Sequence, residues 1–186
     1  MPKTEKQKML AGELYFAEDP ELVADNQRAH RLLQMYNATT AGQQEQRSQI
    51  LQELCGHIGK NAKIIPPFHC DYGSNIYACD SLYMNYGCII LDGNTVHIGN
   101  NVFCGPYVQI YTAYHPTEPE VRLTGQELAA PITIGNNVWI GGNAIICPGV
   151  TIGDGTTIGA GSVVTKNIPE NVIAAGNPCR IIRHLP

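Results

Sequence analysis

From Ile134 onward a branched aliphatic residue returns at every sixth position, at Ile140, Ile146, Ile152, Ile158 and Val164. Four positions after each of them stands a small or β-branched residue: Val138, Ala144, Val150, Thr156, Ser162 and Ile168. A period of six is neither the 3.6 of a helix nor the 2 of an isolated strand, and a helix would scatter these side chains around its surface. The pattern fits a short flat strand, a turn and repetition. Three hexapeptides then close one triangular coil of a parallel β-helix, with the aliphatics stacked inside. Each coil buries its apolar face only against the next, so several must stack to be stable. Glycine follows the aliphatic at Gly135, Gly141, Gly153 and Gly159, where a corner needs room or a positive φ. Cys147 and Thr165 break that part of the pattern.

Upstream the same beat is softer. It runs through Ile58, Ile64, Cys70, Ile76, Leu82 and Cys88, then resumes at Ile98, Cys104 and Ile110, which places about four extra residues near Asp92 to Thr95. Cys70, Cys88 and Cys104 occupy inward positions and read as small buried hydrophobes. Between Ile110 and Ile134 the segment Thr112 to Ala130 has a polar middle with Pro116 and Pro119 and does not read as coil. It predicts a loop that leaves the stack after His115 and returns at Pro131, and long excursions from a rigid scaffold tend to carry function.

Residues 1–57 lack the repeat and read as a helical cap on one end of the stack. Met9, Leu10 and Leu14 sit at helical spacing. Asp19 before Pro20 reads as an N-cap followed by proline in the first turn, with Leu22, Val23, Leu32, Leu33 and Tyr36 on the apolar side. Thr40 with Gln43 predicts a capping box that opens a third helix running to about Leu54. The organisation is therefore a cap over 1–57, a coil over 58–168 interrupted by the loop 112–130, and a tail over 169–186 in which the beat has ended.

Composition narrows the function. Twelve Lys and Arg against sixteen Asp and Glu leave a net charge of −4, which supplies no broad cationic face for a phosphate backbone, so nucleic acid is not an expected partner. No apolar run approaches the roughly 20 residues of a membrane span, and the start MPKTEKQKML lacks the apolar core of a signal peptide, so a cytoplasmic protein is expected. Seven cysteines without a CxxC pair spell neither a disulfide framework nor a zinc knuckle. The glycines obey the six-residue period and form no phosphate-binding loop, which removes kinase and Rossmann readings.

His115 stands apart among the six histidines because it precedes a proline at the mouth of the one long loop. A neutral imidazole is a suitable proton acceptor for an alcohol, although a histidine before a loop is also an ordinary surface residue. Lys166, Arg180 and Arg183 gather cations at the end of an acidic chain, where they read either as an anion site or as a solvated terminus. Asp19 reads as a helix cap, and Asp71, Asn85 and Asp92 as coil-turn residues used for backbone reasons.

Several stretches together resemble the maltose and galactoside O-acetyltransferases of the hexapeptide-repeat superfamily over nearly the whole chain. They are Met9 to Tyr15, Cys70 to Ile76, Tyr83-Met84-Asn85, Tyr111 to Pro116, Ile132 to Gly142 and Gly176 to Arg180. The His-Pro before a loop and the run Thr133 to Gly141 are the specific part. The resemblance implies a left-handed parallel β-helix with an N-terminal α-helical cap, and a homotrimer with active sites between neighbouring coils. It implies acetyl-CoA as donor, a sugar hydroxyl as acceptor and no metal. His115 matches the general base, Asn85 the residue that positions acceptor and imidazole across the interface, and Gly142 the amide that faces the thioester oxygen. Trp139, Gly142, Ala160, Thr165, Lys166, Arg180 and Arg183 match coenzyme A positions, and Asp19, Asp71, Tyr83, Asn85 and Asp92 lie at or beside acceptor contacts. The chain departs from the pattern at Asn26, where relatives often carry arginine, at Gly93 after Asp92, and at Met84 in place of alanine.

The expected reaction is direct acetyl transfer in a ternary complex. Rival readings are an acceptor that is an antibiotic or another small alcohol, a γ-carbonic-anhydrase-like zinc hydratase, for which His69, His97 and His115 are scattered over different coils, and a trimeric scaffold without activity.

Overall fold

The computed structural model describes residues 2–186. The capping end holds three helices. Helix α1, Glu5–Leu10, opens on a box that the sequence reading passed over: Thr4 accepts from the Gln7 N–H and Gln7 answers the Thr4 N–H. It ends at Leu10, so Leu14 lies outside it, and Met9 is its buried residue. Helix α2, Pro20–Asn37, starts as expected, with the Asp19 carboxylate accepting from the Glu21 N–H at 3.0 Å. Its core face is Leu22, Ala29, Leu32, Leu33 and Tyr36, whereas Val23 is exposed. Helix α3, Gln44–Leu54, begins three residues later than a Thr40 cap requires. Gln43 is its N-cap, and the Gln43 side chain reaches back to the Thr40 N–H at 2.7 Å, so only one arm of the expected box forms.

The rest of the chain winds as a triangular prism whose walls are three parallel sheets. The first face stacks His57–Ile58, Ile76–Ala78, Val96–Ile98, Ile132–Ile134 and Thr151–Ile152. The second stacks Lys63–Ile64, Tyr83–Met84, Phe103–Cys104, Trp139–Ile140, Thr157–Ile158 and Val172–Ala175, and adds the antiparallel edge strand Arg180–His184. The third stacks His69–Cys70, Ile89–Leu91, Gln109–Tyr111, Ile145–Ile146 and Val163–Val164. The aliphatic column anticipated from the period is buried, and so is the column four positions after it, from Val138 and Ile140 through Ser162 and Val164 to Ile168. Cys70, Cys88 and Cys104 line the same core.

The glycines that follow the inward aliphatics are there for room. A Cβ on Gly141 would stand 2.5 Å from the Ala160 nitrogen, and one on Gly135 2.2 Å from an Asp154 carboxylate oxygen. Positive φ falls instead at Asn101, Asn137 and Asn143, where asparagine tolerates it.

Register corrects the placing of the extra residues. Ile134 pairs with Ile152 and Ile140 with Ile158, eighteen residues on, but Ile58 pairs with Ala78 and Ala78 with Ile98, twenty residues on. Two residues are therefore inserted at each of two levels, after Cys70 and after Leu91, instead of four at one. The coil also continues past Val164: Ile158 pairs with Ala174, and the stack closes on Val172–Ala175.

The excursion leaves at Thr112, three residues before His115. The Ala130 N–H donates to the Thr112 carbonyl at 2.9 Å and closes the neck. Ala113–Tyr114 then pairs antiparallel with Leu128–Ala129, and a short helix, α4 (Pro119–Arg122), caps the outer turn. Tyr15 bridges to Glu127, so the loop stem and the cap share backbone hydrogen bonds. Met9, Tyr15, Leu22, Tyr72 and Ala129 form a second small core beneath this junction.

Candidate active site

The edge between the third and first faces collects one set of residues predicted from sequence. At successive levels it carries Asp71, Asp92, the loop with His115, and Thr165 with Lys166. Both two-residue insertions lie on this edge and bond to the cap, through Asn26 to the Asp71 carbonyl and Asn94 to the carbonyls of Met9 and Leu10. Asp92 holds the first insertion together. It is fully buried, and its carboxylate accepts from the N–H groups of Asp71 at 3.0 Å, Tyr72 at 2.9 Å and Asn75 at 3.2 Å. Burial pushes its carboxyl up to about 7 against the opposing pull of those amides. Its side chain thus faces backbone, and no surface of it is open to a ligand.

Asp71 faces the other way, into a cleft of about 350 Å³ between α2, the first insertion and the loop stem. Tyr15, Asn26, Gln27, Tyr72 and Glu127 line it with Asp71. Burial, with the Glu127 charge added, raises the Asp71 carboxyl to about 6. Asn26 donates to the Asp71 carbonyl at 3.0 Å, and Tyr15 donates its hydroxyl to Glu127 at 3.2 Å. Ala113 closes the cleft, and His115 stands exposed just past the end of the Ala113–Tyr114 strand. The last stem pair is Tyr114 with Leu128, and His115 and Glu127 follow and precede it in the chain. The sequence reading did not single out Glu127, because nothing in the loop's composition tells which of its residues turns back toward the cap. Asp19 caps α2 and is not among the lining residues.

The edge between the second and third faces collects the other set. Asn85, Gly142 and Ala160 follow one another up this corner, and Tyr83 and Trp139 stand just before it on the second face with Phe103 between them. The Asn85 side-chain oxygen accepts from the Tyr86 N–H at 2.8 Å, which leaves the amide NH₂ free to donate. Neighbouring amides are paired: Gly141 donates to Ile158 and Asn143 to Pro106. Among the described residues no acceptor takes the N–H of Gly142 or of Ala160. The Trp139 side chain is 57% exposed.

The cations do not share a surface in the single chain. Lys166 lies on the third-to-first edge, whereas Arg180 and Arg183 lie on the edge strand of the second face, and all three are exposed without an ion pair among the described residues. His69 and His97 project from different faces, with His97 stacked on Tyr77 at 5.0 Å. Among the described residues no group of three His, Cys, Asp or Glu could hold a metal ion.

A hexapeptide coil closed at one end by helices is the architecture of the hexapeptide-repeat transferases, and comparisons with known proteins place both parts. A family model described as the maltose acetyltransferase hexapeptide capping motif matches residues 8–59, and one described as bacterial transferase hexapeptide (six repeats) matches residues 131–166. Nodulation protein L of Rhizobium meliloti is 51% identical over 181 residues, covering 97% of this chain and 99% of that protein. The crystal structure of a maltose O-acetyltransferase from Clostridium difficile 630 superposes with a TM-score of 0.98 at 48% identity, over 99% of this chain and 98% of that one. A galactoside acetyltransferase solved in complex with coenzyme A superposes with a TM-score of 0.96 at 42% identity, over 100% and 92%. The chain belongs to the maltose and galactoside O-acetyltransferase family and is an acetyltransferase.

Proposed function

We propose that the protein transfers the acetyl group of acetyl-CoA to a hydroxyl of a sugar, at sites formed between the protomers of a homotrimer. The observation that carries the reading is the division of the candidate residues between two edges of one face. His115 and the Asp71 cleft stand on one edge of the third face; Asn85 and the free Gly142 and Ala160 amides stand on the other. In a threefold ring that turns the third face toward its axis, one edge of each protomer meets the opposite edge of the next. The third face suits an axis, since Ile89, Ile145 and Val163 point outward from it and are only half-buried in the single chain. A metal-dependent reading has no comparable support.

In this scheme Trp139, Ala160, Thr165, Lys166, Arg180 and Arg183 bind coenzyme A, and the free amides and cations offer the donors that its pantetheine carbonyls and phosphates require. The acceptor sits against Asp71 and Tyr83, with Asp19 at the mouth of the cap. His115 takes the proton of the attacking hydroxyl while Asn85 orients both partners. As the hydroxyl oxygen bonds to the thioester carbon, the Gly142 N–H stabilises the carbonyl oxygen; the C–S bond then breaks and the thiolate leaves with the proton. A positioned base contributes roughly 10² to 10⁴ in rate, and one oxyanion donor about 10² to 10³.

Thiol release from acetyl-CoA, followed over glucose, maltose, a galactoside, chloramphenicol and a blank without acceptor, tests the reading. Release that depends on a sugar and is lost by orders of magnitude in His115→Ala, with coenzyme A binding retained, is the expected result. Release confined to chloramphenicol would reassign the acceptor, and failure to bind coenzyme A would overturn the donor half.

A further inference from the structure

We infer that the acceptor carries an acidic group, a phosphate or a carboxylate, at the end remote from the acetylated hydroxyl, and that Lys63 and Arg47 bind it; the inference rests on the sugar O-acetyltransferase reading. The direction in which an acceptor lies follows from the order of residues up the second face. Its outward positions are in register from Lys63 through Tyr83, Phe103 and Trp139 to Thr157. In the proposed scheme the coenzyme A residues Trp139, Gly142 and Ala160 stand above, and the acceptor residues Tyr83 and Asn85 stand below. An acceptor longer than its reacting part therefore runs down this corner, toward the cap. The next outward side chain beneath Tyr83 is Lys63, one strand spacing of about 4.8 Å lower.

At that level the structure holds a cavity of about 410 Å³, lined by Thr39, Arg47, Lys63, Pro67 and Tyr86 among others. Tyr86 follows Asn85, and the Gly87 N–H donates to the Pro67 carbonyl at 3.0 Å, so the cavity is the floor of the Asn85 corner. A second cavity of about 300 Å³ shares Gln44, Arg47 and Lys63 with it. No acidic residue lines either, although acidic residues outnumber basic ones sixteen to twelve in the chain.

Arg47 is held in place there. Its Nε donates to the Thr39 hydroxyl at 2.6 Å and its Nη2 to the Thr39 carbonyl at 3.1 Å. Nη1 has no acceptor among the described residues, and Lys63 Nζ has neither an acceptor nor an ion pair among them. A guanidinium already fixed has lost the freedom that binding would otherwise cost. Its planar fork matches a phosphate or a carboxylate, and the ammonium adds a second charge. A neutral sugar can accept hydrogen bonds from both cations but leaves their mutual repulsion in place, whereas a shared anion removes it. Asp71 and Glu127 line the cleft on the opposite edge, so in the ring an acidic substituent is turned away from them and toward Lys63 and Arg47.

The test measures acceptor-dependent thiol release from acetyl-CoA with maltose, maltose 1-phosphate and maltobionate, which is maltose with its reducing end oxidised to a carboxylate. Expected is a kcat/KM for at least one acidic acceptor about tenfold or more above that of maltose, carried mainly by KM, the scale of a charge-assisted hydrogen bond. The better of the two acids tells phosphate from carboxylate. The preference should shrink as KCl is raised, collapse in Lys63→Ala and in Arg47→Gln, and return in Lys63→Arg. Lys63 is exposed, so its variants leave the core untouched. Maltose used as well as both acids, or a preference unchanged in Lys63→Ala, overturns the inference and leaves the transferase reading standing. No release with any sugar, acidic or neutral, overturns that reading and the inference with it.

Discussion

Asp92 and Asp71 occupy the same edge on successive coils, and the lower residue hangs from the upper one: the Asp71 N–H donates to the Asp92 carboxylate at 3.0 Å. The bond fixes where the insertion turns, and so where Tyr72 enters the small core under the cap and where the Asp71 side chain meets the cleft. A buried structural carboxylate thereby places a half-buried one that faces the cleft.

Replacing Asp92 with Asn keeps the size but turns one acceptor into a donor that faces backbone N–H groups. The cost should be about 1–3 kcal/mol, with the cap more affected than the far end of the coil. The folded-state carboxyl is raised from 3.8 to about 7, so it binds its proton more readily folded than unfolded. Its contribution to stability is complete below about pH 3.8 and is lost as the pH climbs through 7. Urea unfolding across that window should show the gap between the native protein and Asp92→Asn narrowing as pH rises. A gap that widens would contradict the assignment.

Asn94 ties three parts of the molecule with one amide. Its side-chain nitrogen donates to the carbonyls of Met9 and Leu10 in the cap and of Ala129 in the loop stem, while its N–H donates to the Thr112 hydroxyl. Asn94→Ala removes this shared donor, although the Met9 carbonyl keeps the Gly12 N–H at 3.2 Å, at a cost of about 1–3 kcal/mol. Hydrogen exchange should rise over the loop 112–130 and α1 while the strands from Ile134 to Val164 keep their protection. Uniform loss of protection would mean that the cap and loop do not open separately.

In the coil core, Ile146 stacks between Ile110 and Val164 and is wholly buried. Truncation to alanine should cost about 2–5 kcal/mol, read as a lower denaturant midpoint with an unchanged slope. A change in slope instead would indicate that the stack no longer unfolds as one unit.

The coil was legible because its inward positions are mostly aliphatic, with a few small or hydroxyl residues such as Thr156 and Ser162, and the spacing is fixed by geometry. The two insertions were not, and the reason is physical. Each strand buries two positions two residues apart, such as Val138 with Ile140. At the first insertion the beat slid from the column of Cys70 to that of Ile76, Leu82 and Cys88 without missing a step; the true partner of Ile58 is Ala78. A two-residue insertion is invisible to a period whose own columns differ by two. The sequence draws the eye to His115 by its proline and its loop, though the loop leaves earlier, at Thr112, whereas nothing marks Glu127, whose place in the cleft depends on how the stem pairs with Tyr15.

The last prediction concerns the two edges. If each site takes His115 from one protomer and Asn85 from its neighbour, then His115→Ala and Asn85→Ala are each nearly inactive alone but complementary together. Unfolding a mixture in equal amounts and refolding it should give rings in which about one site in four joins an intact His115 to an intact Asn85, by random choice of neighbours in a cyclic assembly. Turnover should recover to about that fraction of the unaltered protein, whereas mixing without unfolding should recover nothing. Sites contained within one protomer allow no recovery under either protocol, so a flat result after verified refolding would refute the intersubunit arrangement.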